Sequence, residues 1–189
     1  MTDWDRLCRG TTCAAWAYFF LYFNVNLGTL NILPDFACYV LLWQAIACLE
    51  GEERDLRLLR PLCLLLGVWA GLEWAAALLG WSLEGRLLPW DLLLAVAGLY
   101  FHFQLFTDFA HLAERYQGEG ETLDRRLLRL RTVQALLQTA LTASVFLLSP
   151  GTELTFPGGS SLEGLAAGVL LALAAAGLVV ALMLMFALF

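Results

Sequence analysis

From Gly164 to Phe189 the chain carries no charged or hydrogen-bonding side chain. Coiled into a helix, that stretch rises about 39 Å, more than the roughly 30 Å hydrocarbon core of a bilayer. A helix that is apolar all round has no face to offer water. The same pattern recurs upstream, where long apolar runs alternate with short segments holding most of the charge. Across 189 residues, 60% are hydrophobic, 15% are charged and the mean hydropathy is +0.72. Soluble domains are about half apolar and about a quarter charged. The expected fold is therefore all-α, a polytopic integral membrane helical bundle, because in lipid a helix satisfies its backbone within itself.

The runs predict one membrane domain over residues 1–189 with six transmembrane helices, at about 8–27, 34–49, 61–81, 90–112, 128–148 and 162–189. Residues 113–127 are expected to form a cytosolic loop between two three-helix halves. Arg6 and Arg9 precede the first run as in a signal peptide, but no small-residue cleavage site follows, so the run is expected to remain as a span. Pro34 and Asp35 suit the start of the second helix, where proline lacks only an unpaired amide and a carboxylate meets the positive end of the dipole. That span is near the lower limit of about 17 residues, so it must stand upright or lean on the preceding turn.

The chain has eleven cationic residues, all of them arginine, and cytosolic loops retain such residues. Alternate loops place Arg6, Arg9, Arg54, Arg57, Arg60, Arg115, Arg125, Arg126, Arg129 and Arg131 on one side and Arg86 on the other. Both termini are then expected in the cytosol. Trp81 and Trp90 flank an external loop, at the headgroup level that indoles favour. The net charge of −6 comes from wetted loops and suggests no nucleic acid. The bilayer is the expected partner, with a second copy or another membrane subunit as further candidates. Cys8, Cys13, Cys38, Cys48 and Cys63 form no C-x-x-C pair and read as small packing residues. No metal site or cofactor is expected: there is no H-E-x-x-H, no G-x-S-x-G and no glycine-rich phosphate loop. An enzyme is disfavoured on the same grounds.

Two features of the apolar runs stand out. Gly67, Gly71 and Ala75 in the third, and Gly164, Gly168 and Ala172 in the sixth, form small-residue seams of the kind that let helix backbones approach. Gln44, Glu73, His102 and Gln138 each fall near the middle of a predicted span and are expected to form one transverse polar layer. Gln104, Asp108 and His111 share one helical stripe, and Gln134, Gln138 and Thr142 another. Ionisable groups at membrane depth are costly and mark solute or proton pathways. The functional expectation pairs Glu73 with His102 in a proton-sensitive centre, with Gln44, Asp108 and Gln138 binding or relaying a small polar solute. The competing expectation is that these groups only tie helices together.

The break between the first two runs, Phe23 to Phe36, is expected to face outward, with Asn26, Asn31 and Asp35 as a possible entrance or as a capped hairpin. The segment Leu33-Pro34-Asp35-Phe36-Ala37-Cys38-Tyr39 resembles an L-P-D-[FW]-x-G-Y signature in small uncharacterised multi-pass membrane proteins of Firmicutes-type bacteria. Cys38 stands where the glycine would. The resemblance implies a bacterial cytoplasmic membrane and brings no activity with it. In size and topology the chain is also similar to the substrate-capturing subunits of energy-coupling vitamin transporters. Small-solute transport or substrate binding is thus one expected function, and a membrane scaffold or regulator that docks partner helices is the other.

Overall fold

The apolar runs coil into helices, and those that end at Leu49, Leu78, Tyr116 and Leu147 stop within three residues of a glycine or proline. The computed structural model describes residues 3–22, 26–27, 30–31, 35–80, 88–118, 121–147 and 160–188. Among them are α1 (Asp3–Tyr22), β1 (Asn26–Leu27), β2 (Leu30–Asn31), α2 (Asp35–Leu49), α3 (Leu56–Leu78), α4 (Leu88–Tyr116), α5 (Leu123–Leu147) and α6 (Ser160–Leu188). Each helix packs on the next in sequence, and α6 returns to α1, so the neighbours form a closed ring. The expected external segments around Trp81 and Arg86 and around Pro150 lie outside the described residues.

Among the described residues, three helices are long and apolar enough to cross a membrane: Leu56–Leu78, Pro89–Tyr116 and Leu171–Leu188. The apolar part of α2, Phe36–Leu49, is shorter. The first turns of α1 carry Asp5, Arg6 and Arg9, and those of α5 carry Asp124, Arg125, Arg126, Arg129 and Arg131. The protein is thus an all-helical bundle with membrane-compatible helices. Its interior is apolar, with Tyr18, Leu42, Ile46, Phe101, Leu105 and Leu184 buried, and so is much of its exterior, where Val40, Leu64, Val68, Leu93, Val96, Leu171 and Phe186 are exposed. Such a surface suits lipid.

Several boundaries differ from expectation. Helix α3 starts at Leu56, not near residue 61, because Leu56 and Leu59 are buried and fold its first turns into the bundle. Pro61 therefore sits inside the helix. It withholds a donor from the carbonyl four residues back, at an end rich in charged residues. Most of residues 113–127 is helical, and the segment follows the fourth helix. It parts four helices from two, and the closed ring leaves no three-helix halves.

The break after α1 becomes a hairpin. Its strands pair antiparallel, Asn26 opposite Asn31 and Leu27 opposite Leu30, and β2 approaches α3. The side chains of Asn26, Asn31 and Asp35 lie outside the described residues, as do the surroundings of Gly164.

The seams divide in the same way. A Cβ on Gly67 would meet the Tyr39 Cβ at 2.9 Å, whereas on Gly71 it would reach the Phe36 Cβ at an ordinary 3.9 Å. The α3 seam therefore faces α2, although Ala75 is exposed. On α6, nothing lies within 4 Å of a Cβ on Gly168, and Ala172 is exposed. Helix α6 instead buries Ala181, Leu184 and Met185. The closest approach was not foreseen: a Cβ on Gly10 of α1 would lie 2.5 Å from Leu49 Cγ of α2.

At the arginine-rich end, side chains clasp the loops. Arg115 Nη1 donates to the Glu52 carbonyl at 2.7 Å and Tyr116 Oη donates to Glu52 Oε2 at 2.5 Å. Arg60 pairs with Glu50 at 3.0 Å. Gln117 Nε2 donates to Asp124 Oδ1 at 3.1 Å while the Asp124 amide donates back to Gln117 Oε1 at 3.3 Å.

Two predictions follow from this packing. Gly67→Ala should destabilise the bundle by about 1–3 kcal/mol, because a Cβ rooted on Tyr39 cannot yield without moving its backbone. Gly71→Ala should be neutral or stabilising, since alanine favours helix by up to about 1 kcal/mol. Thermal unfolding of the two variants in detergent measures the contrast. The Gln117 hydrogen bond holds the Asp124 carboxyl below the usual carboxylate range. A depressed folded value means the clasp is fully present above about pH 4 and is lost as pH falls through the folded value. Gln117→Leu should raise the Asp124 value toward that of a free carboxylate in an NMR titration.

Candidate functional site

Polar groups inside the bundle meet between α1, α4 and α5. Tyr18 is buried on α1, and its hydroxyl lies 2.9 Å from His102 Nδ1 on α4. Its ring packs on Phe106 at 4.9 Å and stacks with Tyr22 one turn on. Tyr22 Oη accepts from Gln134 Nε2 of α5 at 3.1 Å. Tyr18 and Tyr22 therefore present one α1 face, to α4 and to α5 in turn.

Arg131 enters the same region. Its Nη1 donates to Thr107 Oγ1 at 2.5 Å, and its guanidinium lies over Phe103, 3.9 Å from the ring centroid. A cation on an aromatic face keeps some compensation for lost water. Arg131 Nε and Gln134 Oε1 are nevertheless buried without a hydrogen-bonding partner. Together with Tyr22, His102 and Gln138 they line a crevice whose water-accessible space is about 20 Å³. That volume holds one water, given polar partners. The two residues that hold these unpaired atoms thus line a space of water size.

The sequence-derived layer is split by this arrangement. His102 and Gln138 share the crevice. Glu73 does not pair with His102: its Oε1 accepts from Trp69 Nε1 at 2.6 Å on the same helix. Trp69 also meets Trp90 near the start of α4, at 5.9 Å between rings. His102 lies about 18 Å further along α4 from Trp90, while Glu73 lies one turn beyond Trp69 in the opposite direction. Depth counted from residue 61 put Glu73 at mid-span; the actual start at Leu56 moves it outward. Gln44 is exposed, beside Trp43 and Leu64 in an outward groove between α2 and α3.

Asp108 is fully buried. Gln104 Nε2 donates to its Oδ1 at 2.8 Å, and its Oδ2 has no hydrogen-bonding partner. It is adjacent in sequence to Thr107, the partner of Arg131, yet among the described residues no ion pair joins Asp108 to Arg131. His111, on the same sequence stripe, is exposed. Cys38 and Cys63 are buried packing residues, Cys63 Sγ donating to the Tyr39 carbonyl at 3.4 Å.

Tyr18, Tyr22 and Arg131 were not foreseen as site residues. The spacing of the tyrosines carried a signal, since residues four apart share a helix face. Arg131 was counted with the loop arginines, although it stands two residues, or about 200°, from Arg129 on the α5 helix. No family model, curated protein or solved structure matches the chain.

Tyr18→Phe should cost about 1–3 kcal/mol by leaving His102 Nδ1 buried and unpaired. Tyr18→Phe combined with His102→Phe should cost less than the sum of the single changes, because the second removes the group stranded by the first. Equilibrium unfolding of the four proteins in detergent measures that coupling.

Proposed function

We propose that this is a six-span protein of a bacterial cytoplasmic membrane, with both termini in the cytosol, that binds and passes a small polar solute through the α1–α4–α5 crevice. The observation that carries the proposal is that Arg131 and Gln134, each holding one buried polar atom without a hydrogen-bonding partner, line the same crevice. Burying either group without a partner costs free energy, and a small molecule that both donates and accepts hydrogen bonds relieves both. Tyr22, His102 and Gln138 extend the polar lining, beside the rings of Phe103 and Phe106. Asp108 adds a buried carboxylate closer to the arginine-rich end of α4.

The six-span topology rests on the arginine count and on the closed ring of helices. Helix α2 rises only about 22 Å, so the paired hairpin before it completes the crossing with its own backbone hydrogen bonds. The bacterial setting rests on the resemblance of Leu33 to Tyr39. A scaffold that docks a partner helix is the second reading, favoured by the open seam at Gly168 and Ala172.

Swelling of proteoliposomes in iso-osmotic urea, glycerol or formate tests the solute reading. The wild-type chain should accelerate entry of at least one of the three. Gln134→Leu should slow that entry by roughly fivefold or more, the worth of one hydrogen bond. Folded wild-type protein that accelerates none of them would leave the scaffold reading in its place.

A further inference from the structure

The outward face of α5 carries a second polar site, apart from the crevice. Thr122, Arg125, Arg126 and Arg129 fall at steps of three, four and seven, so their side chains share one face at the amino end of the helix. With Leu130 they line an open pocket of about 500 Å³. All three arginines are exposed, and the ion pairs among the described residues are Arg60 with Glu50 and Arg115 with Glu53. The nearest acid on the helix, Asp124, is engaged by Gln117. Like charges at these spacings repel, and among the described residues no carboxylate forms an ion pair with them, although the Asp124 carboxylate feels the charge of Arg125.

The chemistry of the pocket points to phosphate. Guanidinium groups donate in a planar fork that matches phosphate oxygens, the Thr122 hydroxyl adds a donor, and the positive end of the α5 dipole favours an anion. What stands next along the same face points to a lipid. Val133 and Leu136 lie seven residues beyond Arg126 and Arg129, back in phase with them, and are 44% and 67% exposed. The face therefore changes from cationic to exposed apolar within two turns, as a headgroup changes to its acyl chains. Arg131, about 200° away from Arg129, turns inward to Thr107 and takes no part.

We propose that the Thr122–Arg129 face of α5 binds the phosphate of an anionic phospholipid, with its acyl chains along Val133 and Leu136. This rests on placing the bundle in a membrane and is independent of the solute reading. Positively charged segments beside a membrane attract anionic lipid generally; the pocket adds one defined position for it.

The test is native mass spectrometry of the full chain released from nanodiscs of about four parts phosphatidylcholine to one of phosphatidylglycerol. Retained phosphatidylglycerol should exceed its share of the bilayer. Each of Arg125→Gln, Arg126→Gln and Arg129→Gln should weaken retention by roughly fivefold. Arg126→Lys should restore part of the loss at that position, which a folding defect would not. Arg54→Gln with Arg57→Gln, at the start of α3, should leave retention unchanged. Equal loss in that control would show diffuse attraction and overturn the proposal. So would unchanged retention in the three single variants, or displacement of the lipid by inorganic phosphate at matched concentration, which would make the pocket a site for a soluble anion.

Discussion

The contact between Tyr18 and His102 is the constraint on which the centre of the bundle depends. Helices α1 and α4 stand across the ring from each other, and among the described residues their backbones do not approach. Only long side chains span the gap. A phenol does this well, because its ring fills volume against Phe106 while its hydroxyl reaches the imidazole. A leucine would fill less and leave His102 without that partner, and a buried polar group without a partner costs more than the bond is worth when made. The bridge also places Tyr22, one turn along, where Gln134 can reach it. Three helices are tied through two hydroxyls, and the crevice lies beside that tie.

Around this centre the usual logic of inside and outside is weakened. Apolar side chains line both, so burial of oily surface does not by itself distinguish one helix rotation from another in lipid. Shape and hydrogen bonds must do so. Gly67 against Tyr39 and Gly10 against Leu49 supply shape, each leaving no room for a Cβ. Trp69 with Glu73, Gln104 with Asp108 and Arg131 with Thr107 supply polar contacts. Two of these join residues on a single helix, which satisfies a polar group without fixing a neighbour. The contacts that do fix neighbours concentrate on α1, α4 and α5, where the unpaired atoms of the crevice also lie.

The two arginine groups of α5 show how little sequence spacing says without phase. Arg125, Arg126, Arg129 and Arg131 fall within one short charged stretch and look alike as loop cations. Once the stretch is helical from Leu123, three of them share an outward face and the fourth is turned to the interior. The same geometry that gives Arg131 to the crevice leaves the other three to water or to a headgroup.

The sequence by itself determined the class of protein. Apolar length and the alternation of charge are properties of the chain read in one dimension, and they predict helices, their approximate ends and a surface suited to lipid. The break before Pro34 and the Gly67 seam were legible for the same reason, since turn residues and small side chains act locally. Which polar groups meet was decided only by the tertiary structure. Depth depends on where each helix begins, and five residues at the start of α3 moved Glu73 out of the plane of His102. Partnership depends on rotation and register between helices, and those follow from contacts such as Tyr39 on Gly67 and Trp69 on Trp90, between residues far apart in the chain.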